Sequence, residues 1–251
     1  MIVLLLAVFV LGLYFRFPIA FSLGLSCMVY FIFSATPMVV IPLKMYAGID
    51  VFILLSIPGF IIAGNLMNQG GLTDKIIDFC NHLLGHVRGG LSYVNISASM
   101  LFAGISGTAI SDTASLGAVM IPAMKKEGYD SDFSCAITAA SSTVGPIIPP
   151  SLPMIIAATL SGLSVGKLFL AGAIPGLLLG LGLMLVAYFV AKKKNYPKHP
   201  KSTLLQIFKS FINTFWALLM TVIILFGIVG GVFTPTEASV VAVLYALFIG
   251  L

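Results

Sequence analysis

Residues 139–153 read AASSTVGPIIPPSLP. Pro146, Pro149, Pro150 and Pro153 crowd one short stretch. Each removes a backbone donor and collides with the preceding helical turn, so no continuous helix runs through them. Yet the flanks are apolar, with no charged residue between Asp132 and Lys167. A crossing of about 30 Å of hydrocarbon takes roughly 20 apolar residues, and this run exceeds that. The stretch therefore reads as a membrane span broken in its middle. A break there leaves carbonyls near Thr143 to Pro146 without helical partners. Together with the hydroxyls of Ser141, Ser142 and Thr143 they offer the oxygen-only surroundings that a sodium ion takes. A simple kink is the alternative, and four prolines so close together count against it.

The rest of the chain supports a membrane setting. Of 251 residues, 59% are hydrophobic and 8% charged, against roughly 25% charged in soluble domains. Mean hydropathy is +1.13. Asp50 to Asp74, Lys167 to Lys192 and Lys209 to Glu237 enclose no charge. The net charge of +5 does not point to nucleic acid, because the basic residues are scattered over segment ends. Cys27, Cys80 and Cys135 are widely spaced, which indicates neither a disulfide framework nor a zinc site.

A second unusual stretch is 95–117, NISASMLFAGISGTAISDTASLG, with seven hydroxyl residues from Ser97 to Ser115. Gly104 and Gly107 bracket Ser106, where a membrane helix is expected to break and reverse. Non-helical backbone at membrane depth persists only inside protein or along a polar cavity. Two helix ends meeting there present free carbonyls to a cation and free N–H groups to an anion. Asp112 is the only charge between Arg88 and Lys125. An intramembrane carboxylate costs several kcal/mol and is by default a functional residue. It also suits the N-terminus of the second hairpin arm as a cap, and the two roles are compatible.

Residues 2–15 and 19–33 are apolar segments parted by Arg16 and Pro18, read as two short helices or one broken helix. Residues 34–50 read as a loop and 51–67 as a span. Residues 72–88 carry apolar positions at helical spacing, an amphipathic helix in the interface. Asp78, His82 and His86 share a face of it, and the polar face that such a helix needs accounts for them without a metal. Residues 167–191 form a long helix that ends in the Lys192-Lys193-Lys194 cluster, 205–228 cross again, and 237–251 start another helix. The Lys-rich loop is expected in the cytoplasm. Working back, Lys125, Lys126 and Arg88 fall on the same side if the hairpin returns to its own side; Lys44 and Lys167 are the exceptions.

These motifs resemble the DctM-type large membrane subunit of tripartite ATP-independent periplasmic (TRAP) transporters. The resemblance rests on 63–71 (AGNLMNQGG), 85–90 (GHVRGG), 98–107 (ASMLFAGISG), 121–129 (IPAMKKEGY), 139–153, 168–172 (LFLAG) and 231–238 (GVFTPTEA). It implies an all-α polytopic membrane protein of the inverted-repeat elevator type, with a re-entrant helical hairpin and a broken helix. It further implies a sodium-coupled importer of a small organic anion of carboxylate, sugar acid or sialic acid type. The partners implied are a small DctQ-type membrane subunit, a periplasmic substrate-binding protein and the lipid bilayer of the bacterial inner membrane. No cofactor is expected beyond Na+ as the coupling ion. Carried onto this chain, the sodium positions are Ser106, Gly107, Thr108, Ser141, Ser142, Thr143, Gly145 and Pro146. Ser111, Asp112 and Thr113 are expected to bind substrate or cap the hairpin.

On the same resemblance, residues 1–68 are scaffold helices and 70–90 an interfacial arm helix. Residues 93–166 are half of a transport domain, made of hairpin 93–124 and broken helix 133–162. Residues 167–228 flank the Lys-rich loop 192–204, and 229–251 begin a second repeat. Permeases of the family are longer and carry two inverted repeats, so the chain is expected to be a fragment. An intramembrane enzyme is the less favoured class: there is no paired Asp and no His near the hairpin. A permease of another ion-coupled anion symporter family and a non-transporting membrane scaffold are the remaining alternatives.

Overall fold

A computed structural model describes residues 2–34 and 37–250. Among these residues the chain is all helical, with no strand. It divides into two compact units, one running up to Val51 and one from Phe52 onward.

In the first unit α1 (Ile2–Tyr14) and α2 (Ile19–Phe33) fold back on one another. The separation at Arg16 and Pro18 thus yields two short helices, with Arg16 at φ 61° in the turn. Where they touch, Gly12 lies so close to Ser22 that a methyl there would sit 2.7 Å from the Ser22 hydroxyl. Small residues let backbones approach in this way, which matters because lipid supplies no hydrophobic drive for helices to associate. α3 (Val40–Ile49) corrects the expectation of a loop at 34–50. Pro42 stands in its first turn, where a missing N–H costs no intrahelical bond.

The second unit begins with a 3-10 turn, Phe52–Leu55, leading into α4 (Ser56–Gln69). Then come α5 (Leu72–Leu84), α6 (Gly90–Ser106), α7 (Ala109–Lys126), α8 (Ser131–Ser142) and α9 (Leu152–Ser161). α10 (Val165–Lys194), α11 (Leu204–Val229) and α12 (Pro235–Gly250) complete it. Residues 52–69, α10 and α11 are the stretches long and apolar enough to cross a bilayer among the described residues. The polytopic membrane class read from composition therefore holds.

α6 is the axis of this unit. Val94, Ile96, Ala98, Phe102 and Ala103 on it are all wholly buried, against α5, α7, α8 and α10. α5 is amphipathic, with Leu72, Ile76 and Cys80 in the core. It is docked on α11, where Ser210 donates to Asp78 (2.9 Å) and Thr214 to the Lys75 carbonyl (2.9 Å), and His82 bonds Ser202 (2.9 Å) in the segment that precedes α11. No metal-ligating group forms among the described residues. α4 packs along α12, where Gly59 lies against Ser239. α10 turns Gly172, Gly176 and Gly180 toward Ile147, Ile148, Met154 and Met100, so closely that a methyl on any of the three would overlap them.

Candidate ion-binding site

α6 and α7 are the two arms of a hairpin that reverses at Gly107-Thr108. Gly107 closes α6 at φ 62°, a conformation that costs an L side chain about 1–2 kcal/mol. The glycine is required for a second reason: a Cβ there would lie 2.5 Å from the Pro150 carbonyl. The hairpin tip is therefore pressed against the break between α8 and α9, and the Leu152 N–H donates to the Gly107 carbonyl at 3.4 Å. Residues 143–151 hold that break open. Ser151 caps α9 by accepting from Met154 N, and its hydroxyl donates to the Pro146 carbonyl at 2.5 Å.

The cap of α7 is Thr108, whose hydroxyl accepts from Ser111 N at 3.2 Å. Asp112 stands in the first turn of α7 without bonding its N–H groups through the side chain. Asp112 lies one turn further in, wholly buried, and accepts a short hydrogen bond from the Ser106 hydroxyl on Oδ1. Its Oδ2 has no partner, and no ion pair reaches it among the described residues. The α7 dipole contributes about 0.3–1 kcal/mol to a carboxylate in this turn. Placing an aspartate mid-membrane costs about 2.5–3.5 kcal/mol even on the mildest scales. The helix end offsets part of such a cost and the Ser106 hydrogen bond a further part, about 1.5–3 kcal/mol for a bond to a charged group, which leaves Oδ2 as the oxygen open to a ligand.

Oδ2 faces Gly145. A Cβ at Gly145 would stand 2.7 Å from Asp112 Oδ2, 3.2 Å from the Ser142 carbonyl oxygen and 3.3 Å from the Thr108 carbonyl carbon. The bare Gly145 backbone is what allows these groups from α7, α8 and the hairpin tip to converge. Within the break the Val144 carbonyl is bonded by Ile147 and Ile148, while the carbonyls of Thr143 and Gly145 accept no backbone bond among the described residues. The partnerless carbonyls anticipated from Thr143 to Pro146 are thus reduced to those two.

The structure accordingly brings together Ser106, Gly107, Thr108, Asp112, the Ser142 carbonyl and Gly145. Ser141 and Ser142 are buried, and both hydroxyls donate to the Thr138 carbonyl (3.1 and 2.8 Å). Ser141 also accepts from Ser99 at 2.9 Å. Thr143 and Thr113 are exposed, their hydroxyls turned back to the carbonyls of Ala140 and Ala109. Ser111 lines a cavity of about 60 Å³ with Ile61, Gly64, Asn65, Ser106 and Thr108.

Sequence reasoning did not single out Asn65, though an amide in a charge-free span is a signal related to that of Asp112. It also passed over the bonds that hold the hairpin. Thr221 on α11 donates to the Gly104 carbonyl at 3.0 Å, one of the α6 carbonyls that its own helix leaves open. Asn68 on α4 donates to Ser115 on α7 at 2.9 Å. Asn95 donates to Thr138 at 2.6 Å and joins α6 to α8.

The profile of the family described as tripartite ATP-independent periplasmic transporter, DctM component, matches residues 6–251. The chain is 46% identical over 242 residues to the sialic acid TRAP transporter large permease protein SiaM of Vibrio cholerae, covering 96% of this chain and 57% of that protein. It is 43% identical over 246 residues to the sialic acid TRAP transporter permease protein SiaT of Haemophilus influenzae, covering 98% and 40% respectively. It is 45% identical over 202 residues to the 2,3-diketo-L-gulonate TRAP transporter large permease protein YiaN of Escherichia coli, covering 80% and 48%. The chain spans about half the length of the curated relatives it matches. Family and relatives are transporter permeases, not enzymes.

Proposed function

The chain belongs to the DctM component family of tripartite ATP-independent periplasmic transporters, and from that premise we propose that it works in the large permease subunit of a sodium-coupled importer of a small organic anion. The observation that carries the coupling is Asp112: a buried carboxylate, bonded by Ser106 on one oxygen and unpartnered on the other, where the hairpin tip meets the helix break. A cation there offsets the buried charge, and the surrounding donors are all oxygens, the hard ligands a sodium ion prefers. In this reading Ser106, Asp112, the Ser142 carbonyl and the open carbonyls of Thr143 and Gly145 hold sodium. Gly107 and Thr108 shape the tip, and Ser141 and Pro146 support the break. Ser111 and Thr113 stand on the accessible start of α7 toward the substrate.

The relatives named for sialic acid and 2,3-diketo-L-gulonate motivate a carboxylate-bearing substrate. The family name motivates a periplasmic binding protein and a small membrane subunit as partners, in the bacterial inner membrane with the Lys-rich loop inside. Alternating access then proceeds by movement of the α6–α9 body, in the manner of an elevator.

The test is uptake of a labelled organic anion by the full-length permease, its small subunit and its binding protein in proteoliposomes. Uptake is expected to require an inward sodium gradient and to cease without the binding protein. Asp112→Asn is expected to abolish sodium dependence while the complex still assembles. Equal uptake with potassium replacing sodium on both sides refutes the coupling.

A further inference from the structure

The segment between α10 and α11 is fixed across the Lys-rich base of the hairpin. α10 ends at Asn195, whose left-handed conformation (φ 54°) turns the chain under α6 and α7. Lys194 pairs with Asp130 at 2.9 Å. Tyr196 stacks on Tyr129 with centroids 4.2 Å apart and leans on Phe133 at 5.5 Å. Its hydroxyl donates to Asp130 at 3.1 Å. The Pro197 carbonyl accepts from Gly89 at 2.9 Å, and His199 N–H donates to the Gly85 carbonyl at 3.1 Å. The His199 ring meets Glu127 at 2.9 Å, and Ser202 bonds His82.

These contacts join two sets of elements. Glu127, Tyr129 and Asp130 form the turn between α7, which carries Asp112, and α8, which leads to Ser142 and Gly145. Gly85, Gly89 and His82 belong to α5 and the α5–α6 corner, and α5 is docked on α11. The two kinds of contact differ in durability. α7 and α8 share a continuous buried face, whereas the segment touches the α7–α8 turn through the half-exposed Lys194–Asp130 pair, the His199–Glu127 and Tyr196–Asp130 hydrogen bonds and one aromatic stack. Half-exposed ion pairs are individually weak. Tyr196, at 5% exposure, is its only buried side chain, and Lys198 and Lys201 already face solvent. Release exposes the Tyr196–Tyr129 stack and leaves the rest of the segment much as it is.

We propose that Lys194–Ser202 is a releasable strap, closed across the base of the hairpin in this arrangement, which lets go of the α7–α8 turn each time the site-bearing helices move. The strap rests on the transport reading above, since it is movement of α7 and α8 that pulls on it. Such gating elements open and close on the timescale of turnover.

The test uses the full-length permease with its partners, with Cys27, Cys80 and Cys135 replaced by alanine. Glu127→Cys with His199→Cys is oxidised to the disulfide and then reduced. Oxidation is expected to lower uptake at least about tenfold and reduction to restore it, as for a gate that must open every cycle. Retained uptake in the oxidised protein, or failure of the pair to cross-link, overturns the strap. Asp130→Cys with Lys194→Cys repeats the test at exposed positions, should the first pair impair assembly. Nitroxide labels at the same sites, read by pulsed electron resonance with and without sodium and a sialic acid, separate this proposal from the transport reading. Two distance populations support release even where uptake proves independent of sodium. One unchanging distance overturns it whatever drives uptake.

Discussion

Gly145→Ala probes the convergence at the helix break more sharply than removing any polar group. The added methyl would stand 2.7 Å from Asp112 Oδ2 and 3.2 Å from the Ser142 carbonyl oxygen, against ordinary carbon contacts of about 3.5 Å or more. Asp112 has little room to yield, because its other oxygen is bonded by Ser106 and the residue is wholly buried. Ser142 is held by its own bond to the Thr138 carbonyl at 2.8 Å. Overpacking of this kind costs about 1–3 kcal/mol. If the strain falls on the ion-bound form, that corresponds to about 5- to 150-fold weaker sodium affinity. The assay is uptake by the full-length complex against sodium concentration, with monodispersity in detergent as the check on folding. Gly182→Ala is the matched control: nothing lies within 4 Å of its added methyl, and an interior helical Gly→Ala gains roughly 0.8–1 kcal/mol of propensity. Half-saturating sodium is expected to rise for Gly145→Ala and stay unchanged for Gly182→Ala. A well-folded Gly145→Ala protein with wild-type sodium response refutes the argument that ligands gather on that face.

Gly107→Ala combines positive-φ strain of about 1–2 kcal/mol with a backbone clash against Pro150, so it should destabilise more than Gly145→Ala, read as a lower Tm in detergent. Thr221→Val leaves the Gly104 carbonyl unsatisfied and should cost about 0.6 kcal/mol, the average for membrane hydrogen bonds, visible as a small Tm drop that Thr221→Ser does not produce. The Lys194 and Tyr196 hydrogen bonds hold the Asp130 carboxyl below the ordinary carboxylate range, and Asp130 in turn raises Lys194. A lowered carboxylate pKa gives a contact that is present above the unfolded value and lost as pH falls through the folded one. A raised lysine pKa gives a contact that is lost only as pH rises past its folded value. The distance between labels at positions 127 and 199, which leave Asp130 and Lys194 in place, should therefore hold across neutral and mildly acidic pH and lengthen only in strong acid or strong alkali; lengthening near pH 6 would count against the pair.

Features set by local chemistry were the legible ones. The reversal at Gly107 and the opening around Pro146, Pro149 and Pro150 follow from positive φ and from missing backbone donors, and both are visible in a string of letters. Asp112 stood out because it is alone in an apolar run. Which side chain caps α7 was not legible, since Thr108 and Asp112 both suit a helix start and only geometry chooses the first. Nor were facings: Ser142 and Thr143 are neighbours, yet one is buried and the other exposed. Asn68 and Thr221 matter only through partners far along the chain, and periodicity carries no such information. In α3, Pro42 and Lys44 resemble loop punctuation in the sequence, yet a proline in a first helical turn is harmless.

The three glycines of α10 have a consequence for motion. Gly172, Gly176 and Gly180 recur every fourth residue, a rise of about 6 Å along the axis. A surface that repeats at that interval presents a similar profile after a displacement of one interval combined with a rotation of about 40°. Ile147, Ile148 and Met154 opposite it would meet bare backbone again after one such step, and bulkier side chains part-way through it. The helix face is thus graduated, like a rack with evenly spaced notches, and the spacing of those notches is written in the sequence.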